Sequence, residues 1–140
     1  MIKLGYVQVL HRYAFDKAYV VMRSPKNLSL PVNEKNIIWL PELSPDKSLF
    51  SDYLSWRRLG EWGEEKFTSE YVPRFIEQLS GKEEQDALAT IKAESDAGLT
   101  MYLLCSCLDE KMCHRSILAG YLQTAGCQTE CRDYTAYFVG

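Results

Sequence analysis

Short apolar runs alternate along this chain with longer stretches of helical spacing. "IKLGYVQVL" at 2–10 is β-rich and alternating, and predicts a first strand. "AYVVM" at 18–22 is a β-branched run bounded by "RSPK", and "IIWL" at 37–40 is a third run, closed by Pro41. Both predict short buried strands. "LTMYLLCSC" at 99–107 is apolar almost throughout, the pattern of a central parallel strand covered on both faces. The tail "CQTECRDYTAYFV" alternates enough to predict a last strand. "HRYAFDK" reads as a polar, aromatic connection, and the turn-rich residues 24–36 as a loop.

Helices are expected between these runs. Ser44 is placed to cap one over 44–59, with Pro45 at its first position, Asp46 in its first turn, and Leu49, Phe50, Tyr53 and Leu54 on one stripe. Residues 60–79 break at Gly60 and Gly63, then resume with Phe67, Tyr71, Phe75, Ile76 and Leu79 on one side; Pro73 predicts a kink or a new start. A charged helix over 81–98 carries a narrow stripe, Leu88 and Ile91, and stops at Gly98. Another runs from about residue 110 to 124 and ends at Gly126. Strands alternating with helices predict an α/β fold: an open, mostly parallel sheet flanked by helices as a three-layer sandwich, in one domain over 1–140.

Bulk properties narrow the function classes. The net charge of −3 does not favour nucleic acid as a partner, although a local basic patch could still bind phosphate. No apolar run approaches the roughly 20 residues of a membrane span, and the N-terminus lacks a signal-peptide core. Five cysteines in such a chain argue for reduced thiols and a cytoplasmic location. The sequence names no cofactor: it has no Gly-rich phosphate loop, no H-E-x-x-H and no G-x-S-x-G.

The chemistry concentrates in "LLCSCLDEKMCHRSILAGYL", residues 103–122, at the carboxyl end of the predicted central strand. In an open α/β sheet that edge collects ligands, because the following helix presents free N–H groups there. Arg115 in a first helical turn opposes the dipole and is well placed only beside an anion. If Asp109 caps the helix, Arg115 lies further in and is simply solvated; both readings stay open. His11 and Arg12 after the first strand, and Arg23 after the second, would reach the same edge and could converge on one anion; Lys26 is better read as solvated.

The cluster has two further readings. Cys105, Cys107, Cys113 and His114 offer three thiols and an imidazole for a metal, but C-x-C-x5-C-H is not a recurrent zinc spacing. Cys113, beside His114 and Arg115, is the better candidate for a reactive thiol, with Cys113 and His114 as the catalytic pair. Cys105 and Cys107 then end a buried strand as small hydrophobes. "WRRLGEWG" at 56–63 could stack bases but is better read as packing, and the paired carboxylates as solvated faces.

These residues carry a resemblance. Cys105 followed by Cys113-His114-Arg115 and an amphipathic helix resembles the C-terminal signature of the domain-of-unknown-function 488 family. "LPELSPDKSLFSDYLSW" is similar to its central element, and "EKFTSEYVPRFIEQL" to its following helix, with Phe67, Tyr71 and Leu79 matching. The resemblance spans most of residues 4–124 and implies an α/β fold and a cytoplasmic prokaryotic protein, without an established activity. Two features depart from it: Cys107 stands where the family often has an acidic residue, and Val21-Met22-Arg23 lacks the Asp that precedes Val-Arg. The expectation is a pocket formed by Arg115, His114, Ser116 and Arg23 for a small anionic ligand, phosphorylated or nucleotide-like, with Cys113 as a polarised thiol. The competing expectations are a redox- or metal-responsive module using Cys105, Cys107, Cys113 and His114, and a purely structural turn.

Overall fold

A computed structural model describes residues 1–24 and 36–138. Five strands form one sheet: β1 (Ile2–Tyr6), β2 (Lys17–Val20), β3 (Ile37–Trp39), β4 (Met101–Cys105) and β5 (Thr129–Glu130). Their order is β3-β2-β4-β1-β5, and every pair is parallel. The helices are α1 (Lys47–Arg58), α2 (Glu64–Lys66), α3 (Val72–Gln78), α4 (Lys82–Asp96) and α5 (His114–Thr124). This is the open parallel α/β sheet that the alternation of runs predicts.

The two faces of the sheet are covered unequally. Alternation turns Tyr19, Val21, Met101 and Leu103 toward the helices, where they pack with Leu49, Phe75, Leu88, Ile91 and Ile117. Ala18, Val20 and Leu104 turn the other way, under Val7, Leu10, Tyr13 and Phe15. Tyr13 stacks on Tyr102 there with ring centroids 4.3 Å apart. That second cover is the β1–β2 connection, which has to cross β4 because β1 and β2 flank it. The first strand therefore ends at Tyr6, opposite Cys105, and Val7–Arg12 is a 3-10 turn instead of continued strand.

Other expected boundaries move for local reasons. Asp46, not Ser44, caps α1, accepting the Leu49 N–H at 2.8 Å, while buried Ser44 donates its hydroxyl to the Pro41 carbonyl. Pro73 stands in the first turn of α3, which starts anew at Val72 as expected. A wide turn over Phe67–Tyr71 joins α2 to α3 and absorbs the ring and its missing N–H. The tail is strand only at Thr129–Glu130, against β1. Asp133 then accepts both the N–H and hydroxyl of Thr135, turning the chain into a 3-10 segment over Thr135–Phe138. Most of the expected 24–36 loop, with Lys26, lies outside the described residues.

That C-terminal segment lies directly on α5. A Cβ at Gly120 would overlap the Tyr134 carbonyl, and Phe138 packs edge-on to Tyr121 with ring centroids 5.9 Å apart. Gly120→Ala is therefore expected to lower unfolding stability by about 1–3 kcal/mol through overpacking, measured by urea denaturation. Unchanged stability would show that the segment lifts off α5.

Candidate functional site

The carboxyl ends of β1, β2 and β4 share one edge, with Tyr6 registered on Cys105 and Val20 on Leu104. Beyond Cys105 the chain turns through Ser106–Asp109. Asp109 accepts the Lys111 N–H at 3.1 Å and starts a 3-10 turn over Glu110–Met112. Cys113 follows in extended conformation as the N-terminal cap residue of α5. The helix thus begins at His114, later than the predicted 110, and its dipole points its positive end at the Cys113 thiol.

Cys113 is almost wholly buried, and two nitrogens face its sulfur. His114 Nδ1 lies 3.5 Å from Sγ, and Arg115 Nε donates to it at 3.4 Å. The other imidazole nitrogen, Nε2, meets the Val21 carbonyl, which can only accept. Nε2 therefore carries a proton, and Nδ1 is left to exchange one with Cys113. The Phe75 ring packs edge-on to the imidazole at 5.6 Å.

Two more sulfurs complete the cluster. Cys105 and Cys107 have Sγ atoms 3.9 Å apart. The ligand atoms of Cys105, Cys113 and His114 all lie within 4.8 Å of one another. Burial alone would push the Cys113 thiol up. Hydrogen bonding with Cys105 and Cys107, and the charge on His114, outweigh it and hold Cys113 well below the ordinary thiol range. Cys105 is driven far up by its hydrogen bonds with Cys107 and Cys113 and by burial. For Cys107 the contact with Cys105 lowers the value, but Cys113 and burial prevail and push it up to about 11. Of the three thiols, Cys113 is the one whose surroundings favour the negative charge.

Arg115 is neither solvated nor free to clamp a ligand. It is completely buried, with one terminal nitrogen on the Gly5 carbonyl, the other on the Cys107 carbonyl at 2.5 Å, and the guanidinium 4.7 Å over the Tyr6 ring. It ties β1, the loop after β4 and the Cys113 sulfur together. Ser116 is also buried, and its hydroxyl is spent on the Cys113 and Lys111 carbonyls at 2.8 and 3.3 Å.

A cavity of about 180 Å³ opens over this cluster. Cys105, Cys107, Cys113 and His114 form its floor; Phe50, Tyr53, Tyr71, Met22 and Met112 supply apolar walls; Arg23 and Ser24 stand at its polar side. Arg23 makes one hydrogen bond among the described residues, to the Pro45 carbonyl at 3.3 Å. The structure thus brings Arg23 to Cys113 and His114 but leaves Arg115 and Ser116 behind the floor. His11 and Arg12 are exposed on the 3-10 turn and do not line the cavity. Trp56 and Trp62 stack on each other at 6.1 Å, as packing residues.

Sequence reasoning missed the second layer: Tyr6 under the guanidinium, and the Gly5 and Val21 carbonyls that take up Arg115 and His114. Carbonyl partners leave no side-chain signal. Tyr53 and Tyr71 carried a helical spacing, which marks them as inward-facing without revealing a cavity.

The family model described as the "Active DUF488-N3 subclade" matches residues 15–126. No curated protein and no solved structure matches the chain. The matched span runs from before β2 to the end of α5 and includes the three sulfurs, His114, Arg115 and the walls of the cavity. The chain therefore belongs to the DUF488 family, in the subclade designated N3a.

Proposed function

We propose that this protein is a thiol-dependent enzyme of the reducing cytoplasm, acting on a small molecule with an apolar body and an anionic group. Cys113 is its nucleophile, His114 Nδ1 takes and returns the thiol proton, and Arg23 receives the anionic end. The observation that carries this reading is the Cys113 sulfur at the lining of a mostly apolar cavity, with His114 Nδ1 at 3.5 Å and Arg115 Nε at 3.4 Å. The apolar walls, with Arg23 as the one arginine or lysine lining the cavity among the described residues, favour a small carboxylate or phosphate ester over a multiply charged nucleotide. The "Active" designation of the subclade agrees with a working site.

Alkylation tests it. At pH 7 iodoacetamide should modify Cys113 ahead of the other four cysteines, read by peptide mass mapping. His114→Ala should slow that reaction by about tenfold for each pKa unit by which the thiol returns toward its ordinary value. Cys113 as the slowest thiol in a folded protein would overturn the reading.

A metal centre is the second reading, favoured by one observation. A tetrahedral zinc with Zn–S of about 2.3 Å and Zn–N of about 2.0 Å sets its ligand atoms roughly 3.5–3.8 Å apart. Cys105–Cys107 at 3.9 Å and Cys113–His114 at 3.5 Å lie near those edges. The Val21 carbonyl on the far imidazole nitrogen is also what a ligating histidine uses. Elemental analysis of protein purified without chelator separates the readings: one equivalent of zinc or iron supports the metal, and a trace removes it.

A further inference from the structure

The position of Cys107 is not used by the nucleophile reading. It lines the cavity over the cluster and also a neighbouring groove formed by Phe50, Leu54, Arg57, Trp62 and Leu108, which neither Cys105 nor Cys113 reaches. Cys105 is the last residue of a central strand and is 4% exposed. Cys107 lies two residues beyond that strand, half-buried, in the turn that leads to Asp109. Cys127 and Cys131 lie elsewhere, on neither cavity. Of the thiols around Cys113, Cys107 is thus the one that a second molecule can approach from outside.

We propose that Cys107 is a resolving thiol: hydroperoxide oxidation of Cys113 is trapped as a reversible Cys107–Cys113 disulfide, which switches the site off until a dithiol reduces it. This rests on Cys113 being the nucleophile of the previous section, with His114 Nδ1 3.5 Å from its sulfur. In the first step the Cys113 sulfur attacks the distal oxygen of the hydroperoxide. A sulfur–oxygen bond forms, the O–O bond breaks, and the departing oxygen takes the proton that His114 Nδ1 received from the thiol. Cys113 becomes a sulfenic acid and the hydroperoxide is reduced to an alcohol, or to water. In the second step Cys107 attacks the sulfenic sulfur. The S–S bond forms, and the hydroxyl leaves as water with the Cys107 proton. A dithiol entering by the groove attacks Cys107, releases the Cys113 thiolate, and closes into its own disulfide.

The sulfur cluster supports the geometry. Cys105 lies 3.9 Å from Cys107 and within 4.8 Å of Cys113, so the three sulfurs share one floor. Cys107 stands in the turn after β4, so its approach to Cys113 asks for no change in the strand itself. The greater exposure of Cys107 makes the product reducible, whereas a disulfide from Cys105 would offer an incoming dithiol little surface.

The experiment treats the full chain with stoichiometric hydrogen peroxide, blocks free thiols, and maps the products by mass spectrometry, with and without dimedone as a sulfenic acid trap. Wild type and Cys105→Ser should both give the Cys107–Cys113 disulfide, reversed by dithiothreitol. Cys107→Ser should instead accumulate dimedone-trapped sulfenic acid and then sulfinic acid at Cys113, with disulfide yield down by about tenfold or more. The deciding readout is the ratio of disulfide to sulfenic acid at Cys113 and not the first-step rate, because Cys107 shares the cavity with Cys113. A disulfide of Cys105, or an undiminished disulfide yield in folded Cys107→Ser, overturns the resolving role. So does trapped Cys113 sulfenic acid in wild type with no disulfide. Failure of dimedone to label Cys113 even in Cys107→Ser overturns the nucleophile reading instead, so the two failures are distinguishable.

Discussion

Replacing Arg115 by alanine is expected to remove about 3–5 kcal/mol of stability, enough to leave a domain of this size at the edge of unfolding. The loss has three sources. The Gly5 and Cys107 carbonyls lose their donors in a place where water does not reach Arg115 at all. The Cys113 sulfur loses one of its two nitrogen neighbours, leaving a buried negative charge with His114 alone. Finally, the guanidinium leaves a gap over the Tyr6 ring. Arg115→Lys keeps the charge but not the fork, so it should recover part of the loss and reach one carbonyl at most. A double-mutant cycle with Cys113→Ala separates the charge pairing from the rest. Cys113→Ala should be less damaging in the Arg115→Ala background, with a coupling of about 0.5–3 kcal/mol. Urea denaturation of the four proteins measures this. Full stability of Arg115→Ala would mean that the loop after β4 does not depend on the buried guanidinium.

The same residue shows why part of the site was legible in the sequence and part was not. The Cys-His-Arg triplet at the end of an apolar run could be located because strand ends and helix starts leave patterns in side-chain type. What Arg115 does there could not be read, because its partners are main-chain carbonyls of Gly5 and Cys107, residues whose side chains say nothing about the contact. A four-residue difference in helix start also decides the matter: beginning at His114 puts Arg115 in the first turn beside the Cys113 sulfur, whereas capping by Asp109 would have put it nearly two turns in. The strands were legible where burial is two-sided, as in β4, and overextended where topology intervenes. Nothing local in "VQVL" announces that the chain must cross β4 to reach β2. The tail failed similarly, since the hydrogen bonds of Asp133 to Thr135 defeat an alternation that looks adequate for a strand.

Burial of Cys113, Arg115 and His114 beneath one cavity joins stability to reactivity. Groups that stabilise the thiolate for chemistry must also stabilise the fold wherever that thiolate exists. An ordinary thiol in the unfolded chain ionises near pH 8.5, whereas folded Cys113 ionises well below this, because its thiol and histidine neighbours overcome its burial. Between those two values the unfolded chain binds one proton more than the native one at this position. Unfolding free energy therefore rises with pH, by about 1.4 kcal/mol per pH unit at full slope. The contribution is complete above about pH 8.5 and is lost as pH falls through the folded value. Cys105 and Cys107 act in the opposite sense. Their folded values are raised, so their contribution is present below about pH 8.5 and declines as pH climbs beyond it. Wild-type protein should consequently show a rising limb below about pH 8.5 that Cys113→Ser lacks. Urea denaturation of the two proteins from pH 6 to 8 is the measurement. The stability difference should move steadily in favour of wild type as pH increases, the titrating groups remote from Cys113 cancelling between them. A difference that stays constant over that range would place the Cys113 proton on sulfur in the native state, and with it would remove the thiolate on which the proposed chemistry depends.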